Sequence, residues 1–403
     1  APKFTGWIKQ PKSTNTMNRK IAILLVMFTV VSQTIFSQSV KRVILFQIDG
    51  LHWQAPSLLT MPVLNRLIGE GTYIEKSYVI IPHHPTIGDY SKYNSCSFPN
   101  PMLHAGTIFI KPENKYIQEV FSAAQTAFVV NTAAYRSVAR GFTTQIMDPS
   151  LSDKQVVEQA MQVLEKQDPV FMRVHLQTPG DIGSSIAVST PDKPYFRNIF
   201  GKGSPYIKAI EEADVLLGQF ISFLKQEGKW EETVLVVTSD HGQSKTGWHP
   251  LFDEDSWITP LVFAGQGIAR GRKLPYFEHT DLAPTIAWLL GKEMPNNDRG
   301  AGKPVPEILA VEDASNFRHP MFLKVLNLQL KSFAVLKGKI ILAADKDPYL
   351  YYLLAALENE GLTPEPFYHQ DRITDWFKAG SAEHLLKANE KILMQMEEVL
   401  KLH

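Results

Sequence analysis

This chain lacks most of the features that would assign it to a specialised class of protein. Its single cysteine, Cys96, excludes an intrachain disulfide. The 41 basic residues are balanced by 41 acidic residues, so no net positive charge is available to attract nucleic acid. The sequence contains no glycine-rich phosphate-binding loop, no tract of mixed aromatic and basic residues, and no internal repeat. With 44% hydrophobic and 20% charged residues, the composition indicates an ordinary globular fold without a nucleic-acid-binding surface.

The amino-terminal hydrophobic run, residues 21–31, is too short for a comfortable membrane span. It follows the basic stretch 17–20 and precedes the polar stretch 32–39, which is the pattern of a signal peptide. We therefore expect an upstream extension over residues 1–16, a signal peptide over 17–39, and a secreted or periplasmic mature protein without a stable membrane span. An uncleaved membrane anchor is the alternative.

Two buried strands are predicted, and each ends in residues that bind metals. Residues 43–48 and 233–238 are apolar and rich in β-branched side chains, as expected of strands covered on both faces of a parallel sheet. Asp49 follows the first strand, and Asp240 and His241 follow the second. Because ligands bind at the carboxyl ends of strands in such sheets, these three side chains are expected in one crevice.

Two carboxylates and one imidazole form a donor set for a divalent cation. The histidine favours zinc, with manganese and calcium as alternatives. The simpler interpretation is that Asp49-Gly50 and Asp240-His241-Gly242 are turns after strands.

Four segments in this order resemble the alkaline phosphatase superfamily, which includes phosphodiesterases, nucleotide pyrophosphatases and sulfatases. They are Asp49, the Ser-Phe-Pro-Asn sequence at 97–100, the Asp-His-Gly sequence at 240–242, and a closing segment made of residues 257–262 and 280–291. The resemblance covers roughly residues 41–310. It implies a metal held by Asp49, Asp240 and His241.

The same resemblance implies that Ser97 is the nucleophile and a metal ligand, and that Asn100 binds substrate oxygens. The chemistry supports this role independently, because a serine hydroxyl needs a metal or a base to become nucleophilic at neutral pH. A helix beginning near Asn100 would also direct free N–H groups at a bound anion. An ordinary helix-capping serine is the alternative for Ser97.

Cys96 resembles the cysteine that sulfatases convert to formylglycine, but its context differs. The sulfatase motif is Cys-x-Pro-x-Arg, whereas Cys96 lies three residues before Pro99 and no arginine follows. This register favours Ser97 as the nucleophile and leaves Cys96 as a small buried residue.

A second metal site is incomplete in the sequence. Phosphodiesterase relatives supply Asp-x-x-x-His from a loop, and the predicted loop 177–185 contains Asp181 without the histidine. His249, eight residues after His241, resembles a later ligand. The resemblance thus implies either a second ion held by Asp181 and His249, or one ion with His249 as a proton donor or substrate contact. His175 and His279 are further candidates, with a structural role as their alternative.

Between these motifs, predicted strands and helices alternate along the chain. We expect an α/β fold: a doubly wound, mostly parallel central sheet with helices on both faces over residues 40–310, and a mainly helical C-terminal extension over 311–403. The predicted helices are 62–71, 152–166, 205–227, 282–290, 322–336, 348–360 and 384–402, and the further strands are 125–130, 170–176 and 261–264.

The predicted function is metal-dependent hydrolysis of phosphoric esters, with phosphodiester or nucleotide pyrophosphate bonds ranked first. The substrate is expected to be a small-molecule or glycan-linked phosphate or sulfate ester. A sulfatase-like hydrolase is the first alternative. A non-catalytic binding protein that retains the fold is the second, because the histidine of the second metal motif is absent.

Overall fold

The computed structural model describes residues 40–79, 115–121, 125–250, 253–295, 302–359 and 382–402. The predicted signal peptide lies outside the described residues, and so do Cys96, Ser97 and Asn100.

One nine-stranded sheet organises the described part of the chain. Its strands, in chain order, are β1 Arg42–Ile48, β2 Thr72–Tyr78, β3 Thr126–Val130, β4 Thr144–Met147, β5 Phe171–Leu176, β6 Thr233–Thr238, β7 Ile258–Gly265, β8 Arg272–Lys273 and β9 Phe277–Glu278. The spatial order is β4-β3-β5-β1-β6-β7-β2-β8, with β9 also paired to β2. Only β7 runs against its neighbours among these strands, so the sheet is mostly parallel as predicted.

Both faces of the sheet are buried. Ile44, Phe46 and Ile48 of β1 belong to the main hydrophobic core, while the intervening Val43 and Leu45 point to the opposite face and are equally inaccessible. This continuous burial explains why β1 has no alternation of polar and apolar residues, and the doubly wound α/β prediction is confirmed.

Nine α-helices surround or follow the sheet in the described ranges. They are α1 Ala55–Leu58, α2 Pro62–Glu70, α3 Asp153–Gln167, α4 Thr178–Ala187, α5 Pro205–Gln226, α6 Leu282–Leu289, α7 Phe322–Ala344, α8 Tyr349–Asn359 and α9 Ala382–Lys401. Local sequence explains their starts: Ser152 and Gln155 form a reciprocal capping box before α3, and Ser204 caps α5 with Pro205 in its first turn.

Two predicted segments differ from the structure. Residues 177–185 were expected as a loop, yet Thr178–Ala187 is helix α4, because Pro179 is compatible with a first helical turn and small residues allow close packing. Helix α7 also continues past residue 336 to Ala344. Its Gly338 does not end it, because Leu336, Ile340 and Ala344 bury one continuous stripe.

Helices α7, α8 and α9 form a C-terminal helical extension with its own small hydrophobic cluster. The cluster comprises Leu336, Ile340, Ala344, Leu350, Leu354, Ile392 and Met396. No helix in the described ranges is both long and apolar enough to cross a membrane. The proposed boundary at residues 310 and 311 stays a prediction.

The buried carboxyl group of Glu278 anchors the start of α7. Its Oε1 accepts hydrogen bonds from the Leu323 N–H at 2.7 Å and from the Tyr276 hydroxyl at 2.7 Å. Burial, with a smaller contribution from nearby Asp281, raises the pKa of Glu278 to about 7. The attachment of the C-terminal helices thus depends on a side chain that resists ionisation.

We expect Glu278→Gln to flatten the pH dependence of stability. Between pH 4.5 and about 7 the folded protein keeps a proton on Glu278 that the unfolded chain releases, so wild-type stability falls as pH rises. The difference in pKa corresponds to roughly 3 kcal/mol. Glutamine can accept the same two hydrogen bonds without a charge, so the variant should be more stable than wild type at pH 8 and similar to it at pH 4.5. Urea unfolding at both pH values measures this.

The matched control is Glu312→Gln, which changes an exposed carboxylate. This control should follow the wild-type pH profile. Parallel profiles for wild type and Glu278→Gln would contradict the proposed burial effect.

Candidate metal centre

Strands β1 and β6 are direct neighbours, and this pairing brings the predicted metal ligands together. The two strands pair in parallel with Val43 opposite Val234 and Gln47 opposite Thr238. Their carboxyl ends therefore lie side by side, and Asp49 and Asp240 emerge at the same edge of the sheet. The sequence predicted a common edge, and the structure adds that no strand separates the two aspartates.

The Asp49 side chain is held by the turn that follows it. Gly50 has a φ of +60°, in the left-handed region that glycine tolerates best. The Tyr206 hydroxyl donates to the Gly50 carbonyl at 2.7 Å and accepts the His52 N–H at 3.0 Å. This bridge from helix α5 fixes the backbone of the turn and with it the direction of Asp49.

Asp49, Asp240 and His241 form a compact, buried donor set. One ligand atom from each lies within 4.8 Å of the others, and the three residues are 2%, 0% and 2% exposed. His241 Nε2 is 3.6 Å from Asp49 Oδ1 and 3.5 Å from Asp240 Oδ2. A tetrahedral ion with ligand distances of about 2.0–2.2 Å separates its donor atoms by about 3.4 Å, so the set fits one ion.

The hydrogen bonding of His241 leaves the correct nitrogen for a metal. Its Nδ1 lies 2.8 Å from the Gly242 carbonyl oxygen, which can only accept, so Nδ1 carries the proton and donates. Nε2 then presents its lone pair to the two carboxylates. Fixing a tautomer through the second ring nitrogen is the usual arrangement at histidine metal ligands.

His175 and Tyr135 form a second layer behind the carboxylates. His175 Nε2 is 3.1 Å from Asp49 Oδ2, and the Tyr135 hydroxyl is 3.2 Å from Asp240 Oδ2. Both residues are fully buried. They orient the carboxylates in the way that outer-layer partners orient metal ligands.

Burial dominates the electrostatics of this site. It raises the pKa of Asp49 well above its usual value, and the negative charge of Asp240 raises it further. Burial also lowers the pKa of His175 to about 4. Both shifts favour neutral forms, so the short contact between His175 and Asp49 is a hydrogen bond rather than an ion pair. A divalent cation would relieve the cost of two adjacent buried carboxylates.

Helix α4 approaches the site closely because it begins with a glycine-containing turn. A Cβ atom placed on Gly180 would lie 1.7 Å from Asp49 Oδ1, so only glycine fits there. Asp181 follows, but it is exposed, and its Oδ1 accepts a hydrogen bond from Gln177 Nε2 at 3.0 Å. Asp181 is not part of the compact donor set, and its role as a ligand stays a prediction.

The predicted later ligand, His249, packs against His241. The ring centroids of His249 and His241 are 4.2 Å apart. The His249 ring also contacts the Trp248 ring, with 5.0 Å between their centroids. His249 therefore adjoins the donor set without being one of its three members. Trp248 has a φ of +62°, a conformation that costs a bulky residue of the order of 1–3 kcal/mol.

The remaining histidine candidate, His279, is engaged elsewhere. Its Nε2 lies 3.1 Å from Ser77 Oγ and 3.0 Å from Thr259 Oγ1, in a buried hydroxyl network between β2 and β7. This location favours its structural interpretation. Ser97 and Asn100 lie outside the described residues, so their placement beside Asp49 stays a prediction.

Comparisons with known proteins find similarity to sulfatases and to enzymes that act on phosphate esters. A family model described as Sulfatase matches residues 93–292, a range that includes Ser97, Asp240, His241 and His249. The multifunctional alkaline phosphatase superfamily protein PehA of Trinickia caryophylli is 35% identical over 97 residues, 22% of this chain and 19% of that protein. GPI ethanolamine phosphate transferase 2 of Aspergillus oryzae is 30% identical over 128 residues, 28% of this chain and 15% of that protein. The chain thus spans less than a fifth of the length of these relatives.

Solved structures share the fold. The phosphonate monoester hydrolase of Agrobacterium radiobacter has a TM-score of 0.54 at 16% identity, covering 69% of this chain and 79% of that one. The phosphonate monoester hydrolase of Silicibacter pomeroyi has a TM-score of 0.52 at 15% identity, covering 69% and 78%. The Sulfatase family model and the alkaline phosphatase superfamily relative make this chain similar to the alkaline phosphatase superfamily in sequence, and the solved structures share its fold.

Proposed function

We propose that this protein is a metal-dependent hydrolase of phosphoric esters, acting on phosphodiester or nucleotide pyrophosphate bonds with Ser97 as its nucleophile. The observation that carries the proposal is the buried set of Asp49, Asp240 and His241 at the carboxyl edge of the sheet. Two adjacent carboxyl groups are costly to ionise in a buried site, and binding a divalent cation would offset that cost.

Residues of this chain would bind the ion and orient its ligands. Asp49, Asp240 and His241 would hold a divalent ion, with zinc favoured by the imidazole and manganese or calcium as alternatives. When bound, the ion would polarise the phosphoryl group and make a coordinated hydroxyl acidic. His175 and Tyr135 keep the carboxylate oxygens oriented, and His241 Nδ1 keeps its proton, which it donates in a hydrogen bond to the Gly242 carbonyl.

In the proposed reaction, Ser97 Oγ attacks phosphorus and the ester alcohol leaves with a proton. Water then cleaves the phosphoserine, which restores the serine and releases phosphate or the remaining phosphate ester. His249 lies against His241 and is the proposed proton donor or substrate contact. Asn100 is proposed to bind the non-bridging oxygens, and export through residues 17–39 is proposed to place the enzyme outside the cytoplasm.

Hydrolysis of sulfate esters is the second candidate. It is favoured by the Sulfatase family model, which covers residues 93–292. Phosphate and sulfate esters share tetrahedral shape and oxygen arrangement, so the same donor set could serve either. The nucleophile distinguishes them, because Cys96 does not lie in the Cys-x-Pro-x-Arg context of sulfatases.

We expect metal-stripped protein to be inactive and to recover turnover when reloaded with zinc, manganese or calcium. The assay compares bis-p-nitrophenyl phosphate, p-nitrophenyl phosphate and p-nitrophenyl sulfate, and faster turnover of the diester is expected. Metal content per chain, measured on the same sample, distinguishes one ion from two. Because burial raises the pKa of Asp49, metal must displace a proton, so apparent metal affinity should increase with pH.

The Asp240→Asn variant, purified in parallel, controls for a contaminating phosphatase. Preferred turnover of the sulfate would favour the second candidate. Stoichiometric metal binding without turnover of any ester would overturn the proposal and favour a non-catalytic binding protein.

A further inference from the structure

Trp248 lies beside His249 at the rim of the metal centre, and about half of its side chain is exposed to solvent. We propose that its indole ring is a platform that stacks on a planar ring in the ester substrate, either an aryl group or a nucleobase. This inference rests on the proposed function and narrows its substrate class to esters that carry such a ring next to the anionic group.

The exposure of Trp248 is the first observation. Its side chain is 51% exposed, and every other tryptophan in the described ranges is at least partly buried and less exposed. Trp257, by contrast, is only 1% exposed and contributes to the interior. An indole left half in water retains a large apolar face that a ligand ring can cover.

The rigidity of the turn is the second observation. The Ser244 N–H donates to the Trp248 carbonyl at 2.8 Å, and the Gly247 N–H donates to the Ser244 carbonyl at 2.9 Å. The Ser244 hydroxyl also binds Thr246 and Asp253. A ring carried by such a braced turn loses little freedom when it binds a ligand.

The backbone conformation is the third observation. Gly247 and Trp248 both have positive φ, at +93° and +62°. Gly247 needs this freedom because its backbone abuts helix α4, where an added Cβ would lie 2.5 Å from the Ala187 nitrogen. A positive φ is strained for a bulky side chain such as Trp248, and asparagine or glycine would adopt it at a lower conformational free energy. Strained residues of this kind cluster at binding sites.

The location relative to the metal ligands is the fourth observation. The His249 ring contacts both the Trp248 ring and the ring of His241. The indole is therefore two ring contacts away from a metal ligand. A ring attached to an anion at the donor set would stack on the indole by extending past His249.

The test measures equilibrium binding to metal-loaded protein by calorimetry, using two pairs of ligands. Phenylphosphonate is compared with methylphosphonate, and AMP with ribose 5-phosphate, so that each pair differs by one planar ring. In wild type, the ring-bearing member of at least one pair should bind about five- to tenfold more tightly. The pair that shows the preference identifies an aryl group or a nucleobase as the ring.

Three variants decide whether Trp248 causes this preference. Trp248→Ala should abolish it, Trp248→Phe should restore most of it, and the control Tyr352→Ala, which removes a 73% exposed aromatic side chain from α8, should leave it unchanged. The ringless ligands should bind all variants equally. Equal affinity within both pairs in wild type, or a preference that survives in Trp248→Ala, would overturn this inference alone. If none of the four anions binds metal-loaded wild type, both this inference and the proposed function fail.

Discussion

Replacing Asp240 with asparagine is expected to abolish stable metal binding and to lower kcat/KM on phosphate esters by on the order of 10³-fold. Asp240 is fully buried and lies 3.5 Å from His241 Nε2 through its Oδ2 atom. The amide keeps the size of the side chain but removes a negative charge from a set of only two carboxylates. Loss of one direct ligand removes several kcal/mol of transition-state stabilisation that the ion supplies.

Metal content and steady-state kinetics on the same preparation test this prediction. Asp148→Asn is the matched control, because it makes the same chemical change on an exposed carboxylate that accepts hydrogen bonds from Ser150. The control should retain metal and activity. A correctly folded Asp240→Asn protein that binds a full equivalent of metal and turns over normally would show that the metal lies elsewhere.

The sequence predicted the central strands well because their burial is complete. In β1 and β6 every residue is buried, which favours runs dominated by apolar and β-branched side chains rather than an alternating pattern. The turn after each strand is equally visible in sequence. Asp49 and Asp240 could therefore be assigned to one edge of the sheet, although 191 positions separate them.

The supporting residues of the site were harder to find. The sequence makes His175 a candidate because it lies just before the predicted loop 177–185, and β5 pairs with β1 so that His175 lies opposite Gln47. No sequence pattern indicates that Tyr135 lies at the metal centre. It follows β3 in an irregular segment, and only the packing of its ring against His175 and Phe128 brings the hydroxyl to the carboxylates. Tertiary contacts of this kind leave no periodicity in the sequence.

Helix α4 shows a different limit of sequence reasoning. Thr178-Pro179-Gly180-Asp181 contains three residues that favour turns, so a loop was expected. Gly180 is required by the contact with Asp49, where any side chain would collide. A glycine retained for a close approach is indistinguishable in sequence from a glycine that breaks a helix.

The remaining large effect is expected at Ser97, the proposed nucleophile. Ser97→Ala removes the hydroxyl that would form the phosphoserine, so kcat should fall at least about 10³-fold. Mass spectrometry of wild type quenched during turnover should show the added phosphoryl group, and the variant should show none. Ser95→Ala and Cys96→Ala are matched control variants at neighbouring positions, and both should remain active. If Cys96→Ala is inactive while Ser97→Ala retains turnover, the nucleophile is the cysteine and the chemistry is that of a sulfatase, despite the missing arginine.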